Sequence, residues 1–198
     1  MMKPLLAAAA LIIAAPALAA AVVGQPAPAF TATDSNGRTV SLSDFKGKPV
    51  VLEWTNAECP FVQKYYSGGD MQKLQADARK GGAVWLTINS GAEGNQGHVT
   101  GAQANSRMRQ QGFQSTAYLL DTDGTIGRAY GARTTPHMFV IAPDGTLAYT
   151  GGIDSIPSAN PADIARAEPL VTLALADVKA GKPVGTPTSK PYGCSVKY

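Results

Sequence analysis

Most of the residues and motifs that hold a cofactor are scarce or missing in this chain of 198 residues, which has 2 cysteines and 2 histidines. It carries no nucleotide or haem motif, and no His/Cys spacing that suggests a structural metal. No cofactor and no metal are therefore expected. Charge is scarce too: 16% of residues are charged and the net is +3, too weak and too evenly spread to argue for nucleic acid or a membrane surface. Beyond residue 20 no apolar run is long enough to span a bilayer. There are no internal repeats, and nothing marks a second domain. The two cysteines, Cys59 and Cys194, permit at most one intramolecular disulfide.

The first 20 residues carry Lys3, an unbroken apolar run from Leu5 to Ala15 and the small-residue sequence Ala17-Leu18-Ala19. That is the three-part pattern of a secretory signal peptide, so residues 1–20 are expected to be removed. A periplasmic or secreted location follows, with no stable membrane insertion after cleavage. Such a compartment permits a disulfide. Residues 21–181 are expected to form one domain and residues 182–198 a tail carrying Cys194.

Turn signals divide the domain. Phe30 to Leu42 alternates around Ser35-Asn36-Gly37, a strong hairpin signal. A short helical turn follows, capped at Ser43. Val50–Thr55 and Ala83–Ile88 are apolar and β-branched on both faces, as buried parallel strands are. Asp70 is expected to cap a helix that Gly81-Gly82 stops, and Thr100 one that Gly112 ends. Ala117–Leu120 is a strand, followed by a turn and a short helix ending near Gly131. Met138–Ala142 and Thr146–Thr150 flank Pro143-Asp144-Gly145 as a second hairpin, and a last helix starts with Pro169 at its first position. The tail, KPVGTPTSKPYGCSVKY, has three prolines and no periodicity, so it should be irregular and lie over the surface.

One stretch carries chemistry. Val50 to Tyr66 is a strand, a polar turn, and then Cys59-Pro60 opening a helix. First-turn amides lack intrahelical acceptors and the helix dipole is positive there, so a thiolate is favoured over a thiol. The flanking Asn56, Glu58 and Pro60 suggest an exposed turn; a buried, inert cysteine is the alternative. Cys194 can reach the helix start and attack a mixed disulfide or a sulfenic acid on Cys59, it can clasp the tail permanently, or the two sulfurs can never meet. Glu53 breaks an apolar strand: either its burial raises its pKa for proton transfer, or it pairs with Lys48 or Lys64. His137 could face Cys59 or be merely packed, and Trp54, Phe61, Tyr65 and Tyr66 form either a client-binding surface or core.

The element order and the cysteine at the first crossover resemble the thioredoxin fold, in its peroxiredoxin-like (alkyl hydroperoxide reductase/thiol-specific antioxidant) branch. The resemblance implies an α/β architecture: a central mixed sheet flanked by helices, with an N-terminal β-hairpin and an irregular tail. Cys59 stands where thioredoxins have the first cysteine of C-x-x-C, and Val62 replaces the second. Glu53 coincides with the buried acid that accepts a proton, and Thr135-Pro136 is similar to the cis-proline that offers backbone groups to a bound chain. Thr135 and Pro136, with Asn56 and Glu58 in the cysteine's turn, are the expected substrate contacts. Active peroxiredoxins place threonine where this chain has Asn56, and an arginine where it has Pro136 and His137, with Arg133 just upstream.

These readings imply an exported thiol-disulfide oxidoreductase. Cys59 would be the nucleophile, Cys194 the resolving cysteine and Glu53 the proton handler, acting on a protein disulfide or small oxidant and reset by a thiol reductant. A thiol peroxidase, a metal-handling module using Cys59, His137 and Met138, and a redox-inert binding domain are the alternatives.

Overall fold

The computed structural model describes residues 20–198. The expected leader therefore lies outside the described residues, apart from Ala20. The chain runs β1 (Thr31–Asp34), β2 (Thr39–Ser41), a 3-10 turn (Leu42–Phe45), β3 (Val50–Trp54), α1 (Pro60–Tyr66) and α2 (Asp70–Lys80). It continues through β4 (Val84–Asn89), α3 (Gly101–Gln111), β5 (Ala117–Leu120), α4 (Thr125–Tyr130), β6 (Thr134–Thr135), β7 (His137–Ile141) and β8 (Leu147–Gly151). A 3-10 segment (Pro161–Arg166), α5 (Leu170–Lys179) and β9 (Cys194–Ser195) complete it.

Seven strands form one mixed sheet in the order β2-β1-β5-β4-β3-β7-β8. The central strands β3, β4 and β5 are parallel, and the flanking pairs are antiparallel. The two hairpins sit at the sheet's edges, where a short turn can join antiparallel neighbours but not parallel ones. Helix ends follow local chemistry: the Thr100 hydroxyl accepts from the Gln103 amide, and Gly112 closes α3 at φ 65°. Three caps fall one or two residues from their expected places. Ser41, not Ser43, caps the 3-10 turn, Gly69 stands before Asp70, and Pro169 caps α5 without being its first residue.

Alternation along the buried strands sorts the core into two layers. Val51, Trp85, Met138 and Val140 meet α1, α2 and α5, together with Cys59. Val50, Leu52, Trp54, Leu86, Ile88 and Phe139 meet α4 on the opposite face. The aromatics near the cysteine are core: Trp54, Tyr65 and Tyr66 are buried, and Phe61 is half-buried against the tail's Tyr192. The tail is irregular along most of its length, as its prolines imply, but it returns as β9, which pairs with β6 in a separate two-stranded ladder.

His137 belongs to the layer away from Cys59. Its ring lies 4.4 Å from that of Phe139, its Nδ1 accepts from the Arg133 amide at 3.2 Å, and Thr150 Oγ1 sits 3.2 Å from Nε2. An accepting Nδ1 puts the proton of the neutral ring on Nε2. Burial, with the Arg133 charge adding to it, pushes the His137 pKa down to about 3. The unfolded chain takes up that proton near pH about 6.5 while the folded one refuses it, so stability falls as pH drops from there towards about 3. His137→Gln should flatten this slope in urea denaturation compared between pH about 7 and about 4; an unchanged slope would contradict the buried neutral ring.

Candidate active site

Cys59 is the N-cap of α1, with Pro60 as the first helical residue. The cysteine is not exposed as its polar neighbours suggested: its relative accessibility is 0%. The reason is local. Asn56 turns inward, its Oδ1 accepting from the Glu58 amide at 2.9 Å and its Nδ2 donating to Gln96 at 3.2 Å. Gly97 closes over it so tightly that a Cβ there would lie 2.3 Å from the Asn56 amide nitrogen. Asn56 therefore holds the turn by its own hydrogen bonds, and of this pair only Glu58 faces solvent.

Above Cys59 lie the Thr135-Pro136 bond, which is cis, and the tail. The Cys59 thiol donates to the Thr135 carbonyl at 3.0 Å, and Thr135 is paired in register with Cys194. Gly193 makes this approach possible: at φ 135°, a Cβ would fall 2.0 Å from the Thr135 oxygen. The rest of the tail is fastened on both sides. Tyr192 donates to Asp154, Val196 N to Arg133 O at 3.0 Å, and Tyr198 OH to Ala132 O at 2.7 Å, with the Tyr198 ring 4.4 Å from the Arg128 guanidinium. Both cysteines are free thiols, and the Cys194 side chain lies near enough to Cys59 for each to shift the other's pKa.

The two sulfurs are electrostatically unequal. Burial works to raise the Cys59 pKa, but the Cys194 thiol, the Thr135 hydroxyl and the amides of Cys194 and Val62 outweigh it and hold the thiol below its ordinary value. Cys194 is pushed up to about 11 by burial and by the neighbouring Cys59 sulfur. The pair thus titrates as a unit, with its first proton lost mainly from Cys59.

Glu53 is fully buried, and neither Lys48 nor Lys64 pairs with it. Its Oε1 accepts from Tyr66 at 2.8 Å, and its Oε2 from Trp85 at 2.8 Å and from Gln75 and Thr87 at 3.1 Å each. Burial raises its pKa, and these four donors pull against the rise. None of its bonds reaches a thiol. Lys64 instead pairs with Asp154 at 3.0 Å in the same layer. Among the described residues no group of three or more His, Cys, Asp or Glu side chains could hold a metal ion, and His137 lies in the other layer from Cys59. What sequence reasoning missed is the site's roof: Tyr192, Gly193 and Asp154. The signal was present in Tyr-Gly-Cys, where a glycine beside a cysteine admits close backbone approach.

The sequence pattern of the AhpC/TSA family matches residues 23–150, most of the sheet and the whole Cys59 turn. The chain belongs to the AhpC/TSA family. Among curated relatives, this family member is 29% identical over 124 residues to the thiol-disulfide oxidoreductase ResA of Bacillus subtilis (strain 168), covering 63% of this chain and 64% of the relative. It is 30% identical over 139 residues to the chloroplastic peroxiredoxin Q of Populus jackii, covering 59% and 63%. The match thus spans just under two thirds of either relative. Among solved structures, a hypothetical protein of Sinorhizobium meliloti 1021 superposes with TM-score 0.76 at 24% identity, covering 91% of this chain and 96% of that one. The peroxidoxin BcpB of Mycobacterium tuberculosis gives 0.57 at 19%, covering 81% and 97%. The thioredoxin-like fold, a mixed sheet between helices, follows from these likenesses and the topology together.

In this AhpC/TSA protein a pH profile of alkylation should show Cys59 ionising below the ordinary cysteine value of about 8.5 and Cys194 near 11. Cys194→Ala removes a donor to the Cys59 sulfur, so the Cys59 midpoint should move up. An unmoved midpoint would show that the thiol pair does not set it.

Proposed function

We propose that this chain is an exported thiol-disulfide oxidoreductase in which Cys59 is the nucleophile and Cys194 the resolving cysteine. The observation that carries the reading is that the Cys59 thiol donates to the Thr135 carbonyl while Thr135 pairs in register with Cys194, which brings the second cysteine to the first. ResA, a relative named as an enzyme of this type, supports it, and the leader pattern of residues 1–20 supports export.

The reaction is two successive exchanges. The Cys59 thiolate attacks one sulfur of a substrate disulfide; that S–S bond breaks, one substrate sulfur leaves as a thiolate, and a mixed disulfide remains on Cys59. Cys194 then loses its proton to the nearby leaving group and attacks the Cys59 sulfur, which expels the second substrate thiol. The substrate has gained two electrons and two protons, and the protein holds a Cys59–Cys194 disulfide. A thiol reductant restores it by the same steps. Thr135 and Pro136 offer backbone to the substrate chain, and Glu58 is the exposed polar group of the turn. Asn56 serves this reading by holding the turn, and Glu53, whose hydrogen bonds reach no thiol, serves it by fixing α1 against the sheet.

The peroxiredoxin Q relative favours one competing substrate, a hydroperoxide. Peroxide would oxidise Cys59 to a sulfenic acid with release of water or alcohol, and Cys194 would condense with it, losing water to give the same disulfide. A titration against glutathione buffers, with mass spectrometry to locate the bond, tests both. An exchanging pair should form and break its bond above roughly −300 mV. A bond that survives far more reducing buffers would be a permanent clasp and would overturn the reading. Oxidation by hydrogen peroxide faster than by a disulfide would transfer the assignment to a thiol peroxidase.

A further inference from the structure

The nucleophile is sealed. Cys59 is inaccessible with both thiols reduced, and the chain's own tail is part of the cover, Tyr192 and Cys194 packing in the cluster that contains it. Neither a disulfide nor an extended polypeptide reaches the sulfur while β9 occupies the edge of β6. Reaction therefore requires the tail to leave, and resolution requires it to return.

One of the contacts that hold the tail is a buried polar cluster that neither exchange step uses. Lys64 on α1 is 1% accessible and pairs with Asp154, which is 4% accessible. Tyr65 donates to Asp154 Oδ2, Ile156 N donates to Oδ1 at 2.9 Å, and Tyr192 from the tail donates to the same Oδ1. The Lys64 ammonium lies 5.2 Å from the Tyr65 ring and 5.7 Å from the Tyr192 ring. Lys64, Tyr65, Asp154 and Ile156 all belong to the domain and satisfy one another without the tail. Tyr192 is the added partner, two residues before Cys194. A hydrogen bond to a charged group is stronger than a neutral one, so the Tyr192 hydroxyl is well placed to decide whether the tail is docked.

We propose that Tyr192, through Asp154, is a positioning residue that latches the C-terminal strand over Cys59, so that one docking equilibrium both shields the nucleophile and presents the resolving thiol. Gly193 is the second determinant, because any side chain there would strike the Thr135 carbonyl. The proposal rests on the exchange reading for Cys194, but the shielding half stands without it.

The test uses the full-length reduced protein and two variants, with iodoacetamide alkylation of Cys59 read by peptide mass spectrometry at the high-pH plateau, where the Cys59 thiol is fully ionised. Tyr192→Phe keeps the ring on Lys64 and removes only the hydroxyl; it should alkylate about tenfold faster than the parent protein. Gly193→Ala should rise further, since its backbone can no longer approach Thr135. Because opening is local, the rates should stay flat in low urea, whereas global unfolding makes them climb steeply.

The redox arm must agree. With two tail states, the factor gained in alkylation multiplied by the factor lost in the disulfide's equilibrium constant equals the factor by which docking weakened. Gly193→Ala should therefore also make the bond easier to reduce. Parental alkylation rates in both variants, or rates that rise only with urea, would overturn the latch. Faster alkylation in a protein whose Cys59–Cys194 bond never forms would leave the latch standing and remove the resolving role.

Discussion

The pairing of Thr135 with Cys194 is the contact on which the site depends. One residue does three things: its carbonyl accepts the Cys59 thiol, its backbone pairs with the strand that carries the second cysteine, and its peptide bond to Pro136 is cis. Cys194 comes to Cys59 because its backbone pairs with the residue whose carbonyl the Cys59 thiol bonds. A two-residue ladder is too short to be stable alone. Its ordering entropy is offset by what flanks it, Tyr192 in the Asp154 cluster on one side and Tyr198 over Arg128 on the other. The tail is thus held at both ends and thin in the middle, where the chemistry is.

Buried charge is tolerated in this layer only where it is saturated. Glu53 has four donors, drawn from α1 (Tyr66), α2 (Gln75) and β4 (Trp85 and Thr87). An acid with so many fixed partners ties the first helix to the sheet, and so sets the pose of the helix whose N-cap is Cys59. Asp154 holds the same C-terminal half of that helix through Lys64 and Tyr65. Removing either acid would leave its donors unpaired in the core, a loss far larger than that of a surface ion pair.

Much of this was legible in the chain. Alternation around Asn36-Gly37 and Pro143-Asp144-Gly145 marked both hairpins, and β-branched runs marked β3 and β4, because those signals depend only on near neighbours. The cysteine at a helix start was legible for the same reason. Its burial was not, since the polar turn that suggested exposure is folded inward by contacts between Asn56 and residues forty positions away at Gln96 and Gly97. His137 needed the pleat: one residue of register decides which layer it joins. Lys64 has a basic side chain in an amphipathic helix, and only the distant Asp154 explains why it is inside. Irregularity in the tail was legible from its prolines, whereas its docking depended on long-range partners that no local pattern encodes.

Acidity and access are set by different groups here, and that separation shapes what the site can do. Burial by itself would silence Cys59 by raising its pKa, yet the thiol that helps bury it is also the donor that keeps its pKa low. The proton given up by one sulfur is retained by the other, whose pKa rises to about 11. Of the two thiols Cys59 is therefore the one that ionises first. Moving the tail exposes Cys59 but also withdraws a donor that favoured its thiolate, so exposure and ionisation pull in opposite directions. With the tail away, the Thr135 hydroxyl and the first-turn amide of Val62 are the donors left to favour a Cys59 thiolate.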